Sequence, residues 1–324
     1  MSILEGKIKN FLYKKKRQAY HIPKRYFQNI FWENNSDNLY YGHYHILKKY
    51  SNTIFPYKIN GEVQHGWSPD HGIPYFEYHM QFKDHAFYVF NELNYAKCKK
   101  LGFTNTKIIG APFIYIKNQY KKNNNNSNNS IILFPSHTHE FGILSNPVKS
   151  FEKYLNDFKG IRRFFNRITV VLYWKDYLNQ NIKNLFENFG AKVISNGHRD
   201  NNPNYLYNFI KIVQEHEYVS SDHFSSAIFY SLYLKKKTFI YGNQVIKDLK
   251  FVNGSENKAS KNLETYSRLY PELIWENYNH KSHSEISEFE LGLDYKKSPK
   301  YLRELFGWSI GKLFAFSKNA NYLI

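Results

Sequence analysis

The sequence predicts an α/β protein made of two Rossmann-like, doubly wound units that face each other across a cleft. Three observations carry this expectation. Short apolar runs alternate with helix-length segments along most of the chain. A polar, asparagine-rich stretch at 121–130 splits that alternation into two series. Loops rich in His, Ser and Gly follow several of the runs, and in doubly wound sheets the loops at the carboxyl ends of the strands form the ligand crevice.

The first series, residues 1–120, opens on Ile3, Leu4, Ile8, Phe11 and Leu12 at roughly helical spacing, followed by the basic cluster Lys14–Arg17. Such a segment suits either an anionic membrane surface or a terminal helix docked on its own domain. Gly61–Gln64 is strand-like and leads into the turn-rich loop His65-Gly-Trp-Ser-Pro-Asp-His-Gly72. Phe87–Phe90 is the next strand. Asn91 then caps a short helix running to Leu101, with Gly102 just past its end. Thr106–Ile109 is a third strand, closed by Gly110-Ala-Pro112.

The stretch Lys121–Ser130 has nothing to bury and is expected to be a linker. The second series, residues 131–324, offers strands at Ile131–Phe134, Thr169–Tyr173, Lys192–Ile194, Tyr218–Ser220 and Thr238–Tyr241. Helix-length segments lie between them at Val148–Asp157, Asn181–Phe189, Tyr205–Glu215 and Ala227–Leu234. A helical tail follows, in which Ser298 as cap and Pro299 at the first helical position form a strong helix start.

Composition bounds the function. The 324 residues are 42% apolar, enough for real cores, and contain no run of about 18 apolar residues that would span a membrane. The N-terminus lacks the apolar core of a signal peptide, and the one cysteine, Cys98, excludes an internal disulfide framework; a cytoplasmic protein is expected, with the membrane's inner face as a docking surface for the N-terminal segment. The formal charge of +18 suits anionic partners, but Lys, Asn, Tyr, Phe and Ile are all residues of A/T-rich codons, so genome composition accounts for the lysine equally well. No zinc-finger spacing, helix-turn-helix signature or RNP-type strand is present, and nucleic acid is not expected as a partner.

Four segments together look familiar: Val63-Gln-His-Gly-Trp67 with Ser68-Pro-Asp-His-Gly72, Asn91–Pro112, Leu133-Phe-Pro-Ser-His-Thr-His139, and Ser225-Ser226. They resemble the GT-B class of nucleotide-sugar glycosyltransferases, in the version found among bacterial capsule, lipopolysaccharide and sialyltransferase-like enzymes. The resemblance spans roughly residues 60 to 245. It implies an acceptor-binding N-terminal domain, a C-terminal domain that holds the nucleotide-sugar, and transfer in the cleft between them. Sialyltransferase-like enzymes carry an acidic-acidic-Gly motif bearing the base, a His-Pro motif at the nucleotide and a serine pair at its phosphate. Here Pro69-Asp70-His71-Gly72 keeps one acidic residue, Pro135-Ser136-His137 departs from the His-Pro order, and Ser225-Ser226 keeps the pair.

Sugar transfer needs a base for the acceptor hydroxyl and a group that stabilises the departing phosphate. Asp70 is the first candidate for base, His65 the second, and His71 an orienting partner; Ser-Pro-Asp-His-Gly is also a good turn in its own right. His137, Thr138 and His139 follow the first strand of the second unit, where a donor's phosphate or base would sit. Ser221, Ser225 and Ser226 place hydroxyls beside a helix start whose N–H groups favour phosphate, and serine there also serves as a plain cap. Arg199, in the loop Asn196–Asn202, suits a phosphate, an anionic sugar or a solvated turn. No third ligand accompanies the His-x-His pair and no Asp-x-Asp follows a strand, so neither metal nor cofactor is expected. Walker, Gly-x-Gly-x-x-Gly and Gly-x-Ser-x-Gly patterns are absent.

The expected activity is therefore inverting, metal-independent transfer from a nucleotide-sugar, a CMP-activated acidic sugar being slightly favoured, to a surface polysaccharide or lipid-linked glycan. Transfer of a polyol phosphate from a CDP-polyol, a basic glycan- or nucleic-acid-binding role without catalysis, and sugar-nucleotide epimerisation are the alternatives.

Overall fold

The computed structural model describes residue 33 and residues 36–53, 58–67, 83–117, 129–137, 142–144, 146–200, 202–242, 249–251 and 258–309. The first series forms a three-stranded, wholly parallel sheet of β1 (Glu62–Val63), β2 (Phe87–Val89) and β3 (Thr106–Ile108), in that order. Helix α1 (His43–Ser51) precedes it, and α2 (Glu92–Lys100) joins β2 to β3. As the sequence predicts, Asn91 caps α2, its side-chain oxygen accepting the Asn94 N–H at 3.0 Å.

The second series supplies β4 (Ser130–Leu133), β5 (Gly142–Leu144), β6 (Arg167–Val171), β7 (Lys192–Ile194), β8 (Tyr218–Ser221), β9 (Lys237–Ile240) and β10 (Leu249–Phe251). Five of these form one parallel sheet in the order β7-β6-β4-β8-β9, the doubly wound arrangement, in which strand order reverses between β4 and β8. The crossovers run through α3 (Pro147–Phe158), α4 (Gln180–Asn188), α5 (Tyr205–Gln214) and α6 (Ser226–Tyr233). All five expected strands are present. The second sits two residues earlier than expected, because its ladder with β4 begins at Arg167 and Tyr173 already caps a helical turn at Trp174–Tyr177. A short antiparallel pair, β5 with β10, was not foreseen; three residues per strand leave too little pattern to read.

Side-chain alternation explains how this sheet is covered. Ile168, Val170 and Val193 point into a core shared with Phe151, Phe158, Ile182 and Phe186 of α3 and α4. The opposite face packs against Leu206, Phe209, Ile210 and Val213 of α5 and Ile228 and Phe229 of α6. That second core is continuous with the first sheet: Phe113 stacks on Tyr230 with ring centroids 4.1 Å apart, and Trp67 lies 4.2 Å from Phe229.

The tail comprises α7 (Lys258–Leu269), α8 (Ser284–Glu290) and α9 (Pro299–Phe306). It returns to the first sheet. The Ala111 N–H donates to Leu291 O at 2.8 Å, Arg303 donates to Ser51 O at 2.6 Å, and Trp308 meets Tyr44 edge-on at 5.9 Å. Ser298 caps α9 as predicted, accepting the Tyr301 N–H at 3.2 Å. Among the described residues no helix is long and apolar enough to cross a membrane. The N-terminal segment, Lys14–Arg17 and residues 121–128 of the expected linker lie outside the described residues.

Candidate functional site

The reversal of strand order brings the ends of β4 and β8 side by side, with Leu133 in register with Ser220. Two loops leave the sheet there, Phe134–His137 after β4 and Asp222–Ser225 after β8, at the position where a doubly wound sheet ordinarily holds its ligand. A network of four residues joins them. Fully buried Asp222 accepts two hydrogen bonds on Oδ1 from Ser136, from the N–H at 2.7 Å and from Oγ at 2.9 Å. Ser221 Oγ donates to Phe134 O at 2.6 Å. His223 Nδ1 lies 3.0 Å from Asp222 Oδ1, 3.0 Å from Ser136 Oγ and 3.1 Å from Ser221 Oγ.

These contacts assign the histidine's proton. Each serine hydrogen is already directed elsewhere, Ser136's to Asp222 and Ser221's to Phe134, so both serine oxygens can only accept from His223. The carboxylate accepts as well. Nδ1 therefore carries the hydrogen, and Nε2 is left on the outer side of a side chain that is 25% exposed. A neutral ring offers an acceptor there and a protonated ring a donor, with Asp222 positioned to stabilise the positive charge. Beneath the network, Asp222 Oδ2 and the Tyr154 hydroxyl are buried with no hydrogen-bond partner among the described residues. Burial first, and the neighbouring Asp222 and Asp157 charges second, hold the Tyr154 phenol well above its usual range.

Helix α6 begins directly beyond. Ser225 stands at its cap position with extended backbone, and its hydroxyl makes no capping hydrogen bond. The first N–H groups of α6 meet no helical carbonyl, as at any helix start. Ser226 has a different partner. Its Oγ accepts the Trp67 N–H at 3.1 Å and donates to Trp67 O at 3.3 Å, pinning the loop after β1 to the start of α6. Gly66 permits this approach, since a Cβ there would stand 3.1 Å from Ser226 Oγ. The Trp67 indole in turn donates to Glu290 Oε2 at 2.7 Å, while Tyr270 donates to Oε1 at 2.6 Å. Burial raises the Glu290 carboxyl above its ordinary value, and the two donors oppose that rise.

On the far side of the same loop, His65 lies edge-on to Tyr40 with centroids 4.1 Å apart and packs against Tyr41 at 5.4 Å. Arg199 lies over both tyrosines, 5.5 and 6.0 Å from their centroids. Gly42, at φ +76, lets this turn press against the loop after β7; a Cβ there would meet Asn202 O at 2.8 Å. His137 stacks on Tyr173 at the end of β6, 4.4 Å between centroids and 15° between planes.

Of the residues picked from sequence, His65, His137, Arg199, Ser221, Ser225 and Ser226 all stand in loops or at element ends; Ser221 belongs to the His223 network, Ser226 bonds Trp67, and His65 and Arg199 share the Tyr40–Tyr41 cluster. Asp70, His71, Thr138 and His139 lie outside the described residues. Sequence reasoning did not assign Ser136, Asp222, His223 or Glu290. Asp222-His223 lies between Ser221 and Ser225, which the sequence did single out, and was open to notice; its pairing with Ser136, 86 positions away, depends on strand order. Among the described residues, no three of His, Cys, Asp and Glu come together as metal ligands.

No family model matches this sequence, and no curated protein matches it. Among solved structures it is similar to the S. aureus MnaA–UDP co-structure, at a TM-score of 0.36 and 15% identity, over 74% of this chain and 69% of that chain.

Proposed function

We propose that the chain is a nucleotide-sugar enzyme with its donor's phosphate at the β4–β8 switch point, and that it transfers the sugar to a polysaccharide or lipid-linked glycan. The observation that carries this reading is His223, held with Nδ1 toward Asp222 and Nε2 outward, beside the start of α6. A helix start and an outward imidazole suit a phosphate that gains negative charge as it leaves. In this reading an acceptor hydroxyl attacks the anomeric carbon while the bond to the phosphate oxygen breaks, and the electron pair stays on phosphate. Protonated His223 hydrogen-bonds that oxygen through Nε2. The acceptor proton passes to a base, for which Asp70 is the first sequence candidate and His65, packed beside Tyr40 and Tyr41, the second. Attack opposite the leaving group inverts the anomeric centre. The serine pair and the histidine-bearing loop after β4 favour a CMP-activated acidic donor, with Arg199 as the partner for its carboxylate.

The test is turnover of UDP-, GDP-, dTDP- and CMP-sugars by the full chain, with and without EDTA. Turnover of one class, unchanged by EDTA and lowered about 10²- to 10⁴-fold by His223→Gln, is the expected result. No turnover of any donor, or full activity in His223→Gln, overturns the reading. Loss with EDTA overturns its metal-free part.

A further inference from the structure

Away from the switch point, a groove of about 540 Å³ runs between α5 and the outer half of the five-stranded sheet. Two stripes of side chains form its walls. Along α5 and its two cap residues, Asn204, Asn208, Lys211 and Glu215 recur at intervals of four, three and four, one face of a helix opposite the apolar stripe that enters the core. On the sheet, Arg167 and Thr169 alternate with core-facing Ile168 and Val170, and Lys192 lies in register with Thr169. This stripe is solvent-exposed, and the polar stripe of the sheet beside it completes a trough roughly 16 Å long, the rise of eleven helical residues.

The floor is fixed. Buried His216 is hydrogen-bonded at both nitrogens, to Ile212 O at 3.0 Å and to Thr169 Oγ1 at 2.8 Å. Arg167 donates to the Glu215 backbone carbonyl, holding its guanidinium across one end. At the other end the groove reaches Ser195–Gly197, which leads to Arg199. Among the described residues its charged side chains are three cations, Arg167, Lys192 and Lys211, against the single carboxylate of Glu215.

We propose that this groove binds an acidic oligosaccharide, as a second site separate from the switch point. Asparagine amides each donate and accept, matching sugar hydroxyls that do both, and the cations match carboxylate-bearing sugars. No Phe, Tyr or Trp lines the groove among the described residues, so it lacks the stacking platform on which single-stranded nucleic acid relies. The proposal does not depend on the donor reading.

Titration calorimetry on the full chain tests it, with tetragalacturonate, neutral maltotetraose and the oligonucleotide dT8 as probes. Tetragalacturonate is expected to bind saturably, at least about tenfold tighter than maltotetraose, and to weaken with salt. Lys192→Glu combined with Lys211→Glu, both at exposed positions, weakens it about tenfold or more. Asn208→Ala weakens it about threefold with the salt dependence unchanged, which charge attraction alone would not produce. His223→Gln leaves it unaltered, so loss of the donor reading and loss of this one are told apart. Absence of saturable tetragalacturonate binding, equal binding by the double variant, or dT8 binding as tightly as tetragalacturonate overturns the proposal.

Discussion

The corner between β8 and α6 uses one chemistry for two ends. On its strand side, Ser136, Ser221 and Asp222 fix His223 so that Nε2 is turned outward. On its helix side, Ser226, Trp67 and Glu290 use their polar groups on one another, and the result is a joint between two sheets. A row of serines after a strand thus has no single meaning. What decides is whether the hydrogen-bond chain ends on a group facing a crevice or closes on itself.

Asp222→Asn attacks the first half and should have the largest effect. The amide can keep its oxygen on Ser136 N–H and Nδ1–H, with its NH2 in the place of Oδ2, but it carries no negative charge to stabilise charge developing on the ring. Donor turnover should fall about 10³-fold with near-native circular dichroism. A fall of less than about tenfold would sink the claim that the charge of this carboxylate serves His223.

Glu290→Ala attacks the second half. It leaves the Trp67 indole Nε1–H and the Tyr270 hydroxyl without their acceptor in a buried place, at a stability cost of about 2–4 kcal/mol, measurable by urea unfolding. Glu290→Gln keeps one acceptor and should cost about half as much. This residue governs stability and loop placement, and whatever turnover remains in the glutamine variant is still lost on His223→Gln.

How much of this was legible follows the same division. The five-strand series could be read because each strand of a parallel sheet buried on both faces is an apolar run, as Ile131–Leu133 and Val170–Leu172 are. The caps Asn91 and Ser298 could be read because capping is local. The pairing of Ser136 with Asp222 could not, since it exists only once β4 and β8 are neighbours, and strand order leaves no trace in periodicity. Glu290 gave a contrary signal: a glutamate in a tail helix reads as a solvated face until Trp67, 223 positions earlier, is brought against it.

Ser226→Ala is a milder probe of the joint. The hydroxyl exchanges hydrogen bonds of 3.1 and 3.3 Å with Trp67, so its loss should cost about 1 kcal/mol and lower turnover only a few-fold. A drop comparable to that of Asp222→Asn, with stability unchanged, would instead give Ser226 direct contact with the ligand and erase the distinction between the two halves.

His43 supplies the contrast that sharpens this picture most finely. It is a histidine like His223, yet it is fully buried and neither ring nitrogen has a partner among the described residues. Burial lowers its pKa from 6.5 to about 3, so the folded chain holds it neutral where the unfolded chain would take up a proton. Its contribution is therefore complete above pH 6.5 and is lost progressively as pH falls toward 3. Between pH 6.5 and 5.5 that amounts to roughly 1 kcal/mol, and His216, lowered to about 4, adds a similar share. His43→Phe keeps the ring and removes the proton site, so unfolding curves at the two pH values should converge by about 1 kcal/mol while turnover at neutral pH is unchanged. An imidazole with no bonds acts only through stability; one bonded on a single side keeps its second nitrogen for chemistry, and that asymmetry is what sets His223 apart.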